Sequence, residues 1–500
     1  MTASSHGPRS ARLALAFALV LPLATAGWTG AARAADAVPA TAAVGMEAPR
    51  FPAIDPATVV ARPATFRLDN GLEIVVIEDR RSPIVTHMVW YRTGAADDPA
   101  GKSGIAHYLE HLMFKGTKSV PAGEFDRILA RNGGRGNAFT GHDYTAYYQE
   151  VAADRLGLVM RLEADRMANL AMKADEVDPE RQVILEERRM RTDNSPADQF
   201  AEQMAAAQFL AHPYRVPVIG WAKEIAGLTR ADAEAYYARH YAPNNAILVV
   251  AGDVAAADVL KLARQHYGPV KRRDVPPRIW ADEPPQLASR RLVMRDPRVR
   301  EPSWSRWWTV PSYVWGDTAR APALDVLASI LGGGPTSRIY RALVVEQGLA
   351  ASAGASYSGS DRGPSTFSMW ATPRNGHGIP EAEAAMEREL ARVVADGVTD
   401  EELARAKRGL LADLVYARDD HASIARMFGA GLSIGLSVDD IVDWPRRIQA
   451  VDAAAVRAAA ADLLVPRMAV TGVLEPDPDA RAADAEAAPA TPVRPGSAAR

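Results

Sequence analysis

A proline-rich segment near the middle of the sequence restricts the folds that are open to this chain. Gly268 to Gln286 contains five prolines, and proline removes a backbone donor and breaks helices and central strands. The segment predicts a linker at residues 268–287 between one domain at 61–267 and another at 288–474. A chain of 500 residues is long enough to form two such domains.

Strand and helix patterns alternate along the first domain. The turn Asp69-Asn70-Gly71 lies between two apolar runs and predicts a β-hairpin. A strand pattern at Ile84 to Tyr91 is followed by a helical pattern from Gly104 to Met113, and Ala246 to Ala251 is predicted to be a buried strand. These patterns predict an α+β fold, in which helices pack on a mixed, mainly antiparallel sheet.

The second domain repeats the pattern of the first at a displacement of 218 residues, which aligns Asp325 with His107. Ser303 to Val310 likewise corresponds to Ile84 to Tyr91, at a displacement of 219 residues, and each of these strands is followed by a helix that ends in glycine. We therefore predict two homologous domains. Chance matching of two helices with apolar periodicity would give a similar alignment.

Both ends of the chain differ in composition from the two domains. Two arginines precede the apolar run Leu13 to Ala26, which is typical of a secretory signal and is too short to span a bilayer comfortably. We predict a signal peptide at 1–34, a leader at 35–60 and a disordered tail at 475–500. An uncleaved membrane anchor is the alternative to the signal peptide.

Composition restricts the compartment and the partners. The sequence contains no cysteine, which excludes disulfides, thiolate metal sites and cysteine nucleophiles. An exported chain of this kind fits a bacterial periplasm, without stable membrane insertion after signal cleavage. The 58 Lys and Arg residues and 61 Asp and Glu residues give a net charge of −3 without a basic block, so nucleic acid is not an expected partner.

The predicted helix after the third strand contains the pattern His-x-x-Glu-His. Positions i and i+4 lie about one turn apart on the same face of a helix, so His107 and His111 can bind one zinc ion. Glu110 shares that face and can take a proton from a water molecule that the metal activates. The pattern is the inverted form of the zinc-protease helix. Two structural histidines and a solvated glutamate are the alternative.

Catalytic zinc usually takes three protein ligands, so a further residue must complete the set. Pro179 to Arg191 predicts a helix with proline at its start, where Glu180 and Glu187 are seven residues apart on one face. One of them could bind the metal while the other orients a ligand. On spacing alone, such a pair of glutamates more often belongs to a solvent-exposed acidic helix face than to a metal site.

Together these motifs resemble the inverted zinc metallopeptidases, a family that includes pitrilysin, insulin-degrading enzyme and mitochondrial processing peptidase. The resemblance covers nearly the whole mature chain and extends to Phe66 to Ile77, Trp90 to Thr117, Asn137 to Thr140, Asp143 to Thr145, His212 to Tyr214 and Tyr241 to Asn245. It implies one zinc ion per chain, bound by His107, His111 and Glu187. Glu110 would be the base, and Glu180 would support the site.

The resemblance also implies an edge strand beside the metal, onto which an extended peptide adds as another strand. Its residues are Asn137, Ala138, Phe139 and Thr140. Backbone pairing at an edge binds unfolded peptides with little demand on their sequence, although a structural hairpin strand would use the same residues. The implied activity is zinc-dependent endoproteolysis of unstructured peptides, by two chains that enclose a chamber.

The second half departs from active members of the family at two positions. Where those members carry an Arg and a Tyr that reach the substrate carbonyl, this chain has Val344 and Ala351. Losing oxyanion donors costs about a hundred- to a thousandfold in rate. The sequence therefore predicts a zinc-bearing subunit whose homologous partner supplies both donors. A self-sufficient homodimer and a non-catalytic peptide-binding or scaffold subunit are the alternatives. Arg306 and Tyr313 have the same interval but lie in the preceding strand region.

Overall fold

The computed structural model describes residues 54–56 and 58–479. The predicted signal peptide, most of the leader and most of the tail lie outside these residues. None of the helices in the described part of the chain has both the length and the apolar composition that crossing a membrane requires.

Six strands form the first sheet, in the order β1-β2-β6-β3-β5-β4. They are β1 Ala64–Arg67, β2 Glu73–Glu78, β3 Ile84–Tyr91, β4 Arg135–Thr140, β5 Thr145–Ala152 and β6 Ala246–Gly252. β2 and β6 are parallel and the other neighbours are antiparallel. The predicted hairpin is present as β1 and β2, and Gly71 in its turn has a φ of +93°. The mixed, mainly antiparallel sheet is as predicted.

Helices cover one face of this sheet and form the first core with it. The first half contains α1 Ile105–Leu112, α2 Glu124–Arg131, α3 Leu156–Asn169, α4 Ala174–Arg188, α5 Pro196–Gln208, α6 Ala222–Ala226, α7 Arg230–His240 and α8 Ala256–His266. Leu109 of α1, Val159 of α3, Ile184 of α4 and Ala233 of α7 are all buried in this core. The core therefore holds α1 and α4 in fixed positions on the sheet.

The start of α4 differs from the prediction. The helix begins at Ala174, so Pro179 lies inside it and not in its first turn. Asp175 and Glu176 occupy the first turn, where negative charge stabilises the partial positive charge of the helix N-terminus. The prediction was wrong because it gave more weight to the proline than to these acidic residues.

The second half reproduces the topology of the first. Its sheet has the order β7-β11-β8-β10-β9. The strands are β7 Arg290–Asp296, β8 Ser303–Val310, β9 Ala350–Tyr357, β10 Ser365–Pro373 and β11 Ala469–Pro476. β7 and β11 are parallel and the other neighbours are antiparallel, as at the equivalent positions of the first sheet. Among the described residues, only a counterpart of β1 is missing. The shared strand order supports the predicted repeat.

The helices of the second half are α9 Ala321–Gly332, α10 Ile379–Asp396, α11 Asp400–Ala417, α12 His421–Ile434, α13 Val438–Ala450 and α14 Ala453–Leu463. Residues 268–289, between the two halves, contain neither a helix nor a strand. Glu283 in this segment accepts hydrogen bonds from the backbone N–H groups of Leu210, Ala211 and His212. The connecting segment is therefore bound to the first half over part of its length.

Each half also covers a sheet of the other half. α12 packs against β3 and β6 of the first sheet, where Gly429 lies against the indole ring of Trp90. α5 packs against the second sheet, where Met204 lies against Gly472 of β11. Val59 and Val60, which the sequence analysis assigned to the leader, are buried in the cluster that α12 forms. Burial of this β-branched pair is favourable and draws the end of the leader into the fold.

Two glycine substitutions in helices of the second half should have opposite effects on stability. In Gly429→Ala, the added Cβ would lie 2.1 Å from atoms of the Trp90 ring, so we expect the free energy of unfolding to fall by about 1–3 kcal/mol. In Gly409→Ala, no atom beyond the neighbouring backbone of its own helix lies within 4 Å of the new Cβ, so a gain of about 0.5–1 kcal/mol is expected. Denaturant unfolding of both variants measures the difference, and equal stabilities would contradict the tight contact at Trp90.

Candidate functional site

A half-buried carboxylate anchors the first turn of α1. Asp98 accepts hydrogen bonds from the backbone N–H groups of Gly104, at 2.7 Å, and Ala106, at 3.1 Å. These N–H groups have no partner inside the helix, and negative charge is favourable at a helix N-terminus. Gly104 has a φ of +86° and lies against the carbonyl oxygen of Ile219, so a larger residue would clash there. The position of α1 is therefore fixed at its start.

Contacts between α1 and α4 bring two distant segments together. The hydroxyl group of Tyr108 donates to the carbonyl oxygen of Val177 at 2.6 Å, and both residues are buried. Ile184 of α4 and Leu109 of α1 lie in the same core. This packing places the carboxylates of α4 beside the histidines of α1.

His107, His111 and Glu187 form a cluster that can hold a metal ion. The Nε2 atoms of His107 and His111 lie 3.7 Å and 3.3 Å from Oε2 of Glu187, and one donor atom of each residue lies within 4.8 Å of the others. Donor atoms of a tetrahedral zinc ion are about 3.3 Å apart. Oε2 of Glu187 is buried without a well-placed hydrogen bond from the described residues, a cost that a cation would remove. The donor set fits zinc.

Glu180 lies behind His111 and outside this cluster. Its Oε1 lies 2.8 Å from Nδ1 of His111, and its Oε2 forms an ion pair with Lys115. A carboxylate at Nδ1 makes that nitrogen the donor and leaves Nε2 free for a metal. The geometry therefore distinguishes Glu187, which faces both histidines, from Glu180, which contacts His111 from the other side.

The two histidines have different proton affinities. Burial, together with the nearby His111, lowers the pKa of His107 to about 4, so its ring is neutral at neutral pH. Burial also acts to lower the pKa of His111, but the hydrogen bond with Glu180 and the nearby carboxylate of Glu187 outweigh it and raise that pKa to about 9. Because a metal binds the neutral imidazole, binding at His111 must displace a proton.

Glu110 lies beside the cluster without joining it. Burial raises the pKa of its carboxyl group, and a hydrogen bond from Thr140 acts in the opposite direction. Oγ1 of Thr140 donates to Oε2 of Glu110 at 2.5 Å. A carboxylate whose ionised form is disfavoured by burial accepts a proton more readily than an exposed one, as a general base must.

The residues of the expected substrate strand are the last four residues of β4. This strand is at the edge of the first sheet and pairs only with β5 among the described strands. Phe139 points away from α1 and lies under the guanidinium group of Arg426, which belongs to α12. Side chains alternate along a strand, so Thr140 points to the opposite face and reaches Glu110. The free edge of the sheet is therefore adjacent to the candidate base.

Three charged residues at the site were not singled out by the sequence analysis. Lys115 contacts Glu180, and the largely exposed Arg191 contacts Oε1 of Glu187 at 2.8 Å. Lys115 and Arg191 each follow a candidate ligand by four residues, a helical spacing that could have identified them. Asp98 gives no comparable signal, because it lies in a loop and acts on the backbone.

The side chains at the two altered positions of the second half, Val344 and Ala351, cannot donate a hydrogen bond. Val344 is in the π-helical segment Tyr340–Glu346, and Ala351 is exposed near the start of β9. Arg306 and Tyr313 do not replace the missing pair. Arg306 is buried in ion pairs with two glutamates of α10, and Tyr313 is buried in a hydrogen bond to a carboxyl group of α9. Both side chains therefore make these contacts within the second half.

Comparison with known proteins gives consistent matches along the chain. A family model described as Insulinase (Peptidase family M16) matches residues 73–220, and one described as Peptidase M16 inactive domain matches residues 227–410. The zinc protease PqqE of Helicobacter pylori is 33% identical over 388 residues, which cover 76% of this chain and 85% of that protein.

Two further proteins are similar over most of the chain. An uncharacterized zinc protease of Mycobacterium tuberculosis is 33% identical over 435 residues, which cover 83% of this chain and 94% of that protein. The crystal structure of a protease from Helicobacter pylori has a TM-score of 0.79 and 29% identity, covering 83% of this chain and 100% of the other. The similarity therefore includes both halves.

The contact between Glu180 and His111 predicts a measurable effect on metal affinity. We expect Glu180→Gln to weaken zinc binding by about ten- to a hundredfold, because the neutral amide accepts a weaker hydrogen bond from the imidazole and cannot form the ion pair with Lys115. Competition with a chromophoric zinc chelator measures the affinity. Glu186→Gln is the matched control, since Glu186 is on the same helix and pairs only with Arg189 among the described residues. Equal affinities of Glu180→Gln and wild type would contradict the assignment.

Proposed function

This chain belongs to peptidase family M16, and from this premise we propose that it is the zinc-bearing subunit of an endopeptidase that hydrolyses unstructured peptides. One observation carries the proposal. Donor atoms of His107, His111 and Glu187 lie close enough together to bind one metal ion. The carboxylate of Glu110 lies beside them and is not one of these donors. The relatives that are named zinc proteases support the same assignment.

The residues that would hold the zinc ion are His107, His111 and Glu187. Bound zinc supplies a Lewis acid that polarises the substrate carbonyl group and makes water more acidic. Glu180 and Lys115 keep the imidazole of His111 in one orientation. The buried His107 stays neutral, so its lone pair is available at neutral pH.

Glu110 would act as the general base and then as the general acid. Its carboxylate takes the proton of the attacking water molecule and returns it to the nitrogen of the leaving amine. Burial supports this role, because it raises the pKa of the carboxyl group and so increases its affinity for the proton. The site therefore needs no other proton carrier for one round of peptide hydrolysis.

The substrate would bind as an additional strand on β4. The outer edge of this strand has no neighbouring strand among the described residues, so an extended peptide can pair with it once the N–H of Ala138 is released from the side chain of Asn137. Side chains contribute little to such pairing. Unstructured peptides are the substrates that this mode selects, because a folded segment cannot present an extended backbone. The residues concerned are Asn137 to Thr140.

A homologous partner subunit would complete the site. Val344 and Ala351 cannot donate hydrogen bonds to a developing oxyanion, and a related chain with Arg and Tyr at these places would supply the donors. The same alteration favours the second candidate, a peptide-binding or scaffold subunit without turnover. A self-sufficient homodimer is the third candidate. The proposal includes export to the periplasm, which the apolar run Leu13 to Ala26 supports.

Replacement of the base should abolish turnover in the assembled enzyme. We expect Glu110→Gln to lower kcat for an unstructured fluorogenic peptide by about a hundredfold or more, in the zinc-loaded complex purified from native extracts. Glu186→Gln serves as the control and should retain wild-type kcat. A Glu110→Gln complex that cleaves at the wild-type rate would refute the mechanism, and a wild-type complex that binds peptides without cleaving them would favour the scaffold.

Restoring the two missing donors should activate the chain on its own. We expect the double variant Val344→Arg, Ala351→Tyr to raise kcat of the purified chain by about ten- to a thousandfold, because oxyanion donors act on the transition state. Val345→Arg adds the same charge at a neighbouring exposed position and should have no such effect. If the wild-type chain alone is already as active as the double variant, the partner is unnecessary.

A further inference from the structure

We infer that Thr140 is a positioning residue for Glu110, and that it links the orientation of the base to the strand on which the peptide docks. The inference rests on the proposed function, because it concerns the same site. In that function Thr140 contributes its backbone to a strand. The side chain of Thr140 has a different role, which is to hold the carboxylate of Glu110.

The proton of the Thr140 hydroxyl group is committed to Glu110. Oγ1 of Thr140 lies 2.5 Å from Oε2 of Glu110, whereas its distance to Oγ1 of Thr145 is longer, at 3.4 Å. The Thr145 hydroxyl group gives its own proton to the carbonyl oxygen of Thr93, at 3.1 Å. A threonine hydroxyl has a single proton, and an ionised carboxylate can only accept. The short Thr140 to Glu110 contact is therefore a charge-assisted hydrogen bond.

This bond restricts a side chain that would otherwise rotate. Glutamate has three side-chain torsions, and Thr140 supplies the only hydrogen bond to the Glu110 carboxylate among the residues that the structure describes. Threonine is β-branched and stiff, so its hydroxyl group is a well-defined anchor. With Oε2 held by Thr140, Oε1 remains available to the water molecule. A general base is effective only if its geometry is maintained in this way.

The anchor itself is held by the turn that follows β4. The backbone N–H groups of Ala95 and Ala96 donate to the carbonyl oxygens of Gly141, at 3.0 Å, and His142, at 2.9 Å. Ala95 and Ala96 precede α1 in the chain, so this turn and the helix that carries Glu110 share a common support. The hydroxyl group of Thr140 is thus fixed relative to α1.

A peptide that pairs with β4 would take its position from the same strand. The backbone of Thr140 belongs to the edge to which the peptide adds, and its side chain holds the base on the face toward α1. Strand pairing sets the register of the peptide, so the same strand positions both the base and the substrate. Loss of the hydroxyl group should therefore reduce kcat and leave peptide binding intact.

The test compares Thr140→Val, which keeps the shape and removes the donor, with Thr140→Ser, which keeps the donor. In the zinc-loaded native complex, we expect Thr140→Val to lower kcat by about ten- to a hundredfold, with KM changed by less than about twofold. Thr140→Ser should stay within about threefold of wild type. Thr65→Val, on the exposed edge strand β1 of the same sheet, is the matched control and should behave as wild type.

Wild-type kcat in Thr140→Val would overturn the inference, and so would an equal loss in Thr140→Ser, because packing of the methyl group would then explain the effect. If the wild-type complex is no more active than Glu110→Gln, the proposed function fails, and crystal structures decide the inference instead. A Glu110 carboxylate that turns away in Thr140→Val and stays in place in Thr140→Ser supports it. A carboxylate that does not move in either variant overturns it.

Discussion

The candidate site depends on the packing of α4 against α1. His111 and Glu180 are 69 residues apart in sequence, so no local preference brings them together. The hydrogen bond from Tyr108 to the backbone of α4 and the burial of Ile184 set the register of the two helices. A slip of α4 by one residue would rotate Glu187 by about 100° around the helix axis and remove it from the histidines.

Local physical chemistry predicted much of the fold. The Asn-Gly turn of the first hairpin and the strand at Ile84–Tyr91 follow from turn geometry and periodicity, which act over a few residues. Proline likewise indicated the interruption between the two halves, which was predicted at 268–287 and is free of helix and strand at 268–289. The start of α4 was misplaced, because two local signals competed there. The crossing of α12 over the first sheet was not predicted, since it joins Gly429 to Trp90 and only tertiary packing decides such a contact.

The site shows the same division between local and distant information. Spacing alone placed His107 and His111 on one face of a helix. It left the roles of Glu180 and Glu187 open, and the family resemblance was needed to choose between them. The contact between Thr140 and Glu110, which are 30 residues apart, has no signature in the sequence, because it joins a strand to a helix that is formed independently.

Helices α5 and α12, each of which packs on the sheet of the other half, affect how a substrate could enter. Each half supplies a layer of the other half's interior, so separating the halves would expose the faces around Trp90 and Met204 to water. Opening within one chain would therefore be costly, and we expect each subunit to move as a rigid shell. In the proposed complex with a partner subunit, the entrance for a peptide would then be the interface between the two molecules, and the rate at which that interface opens would set an upper limit on turnover.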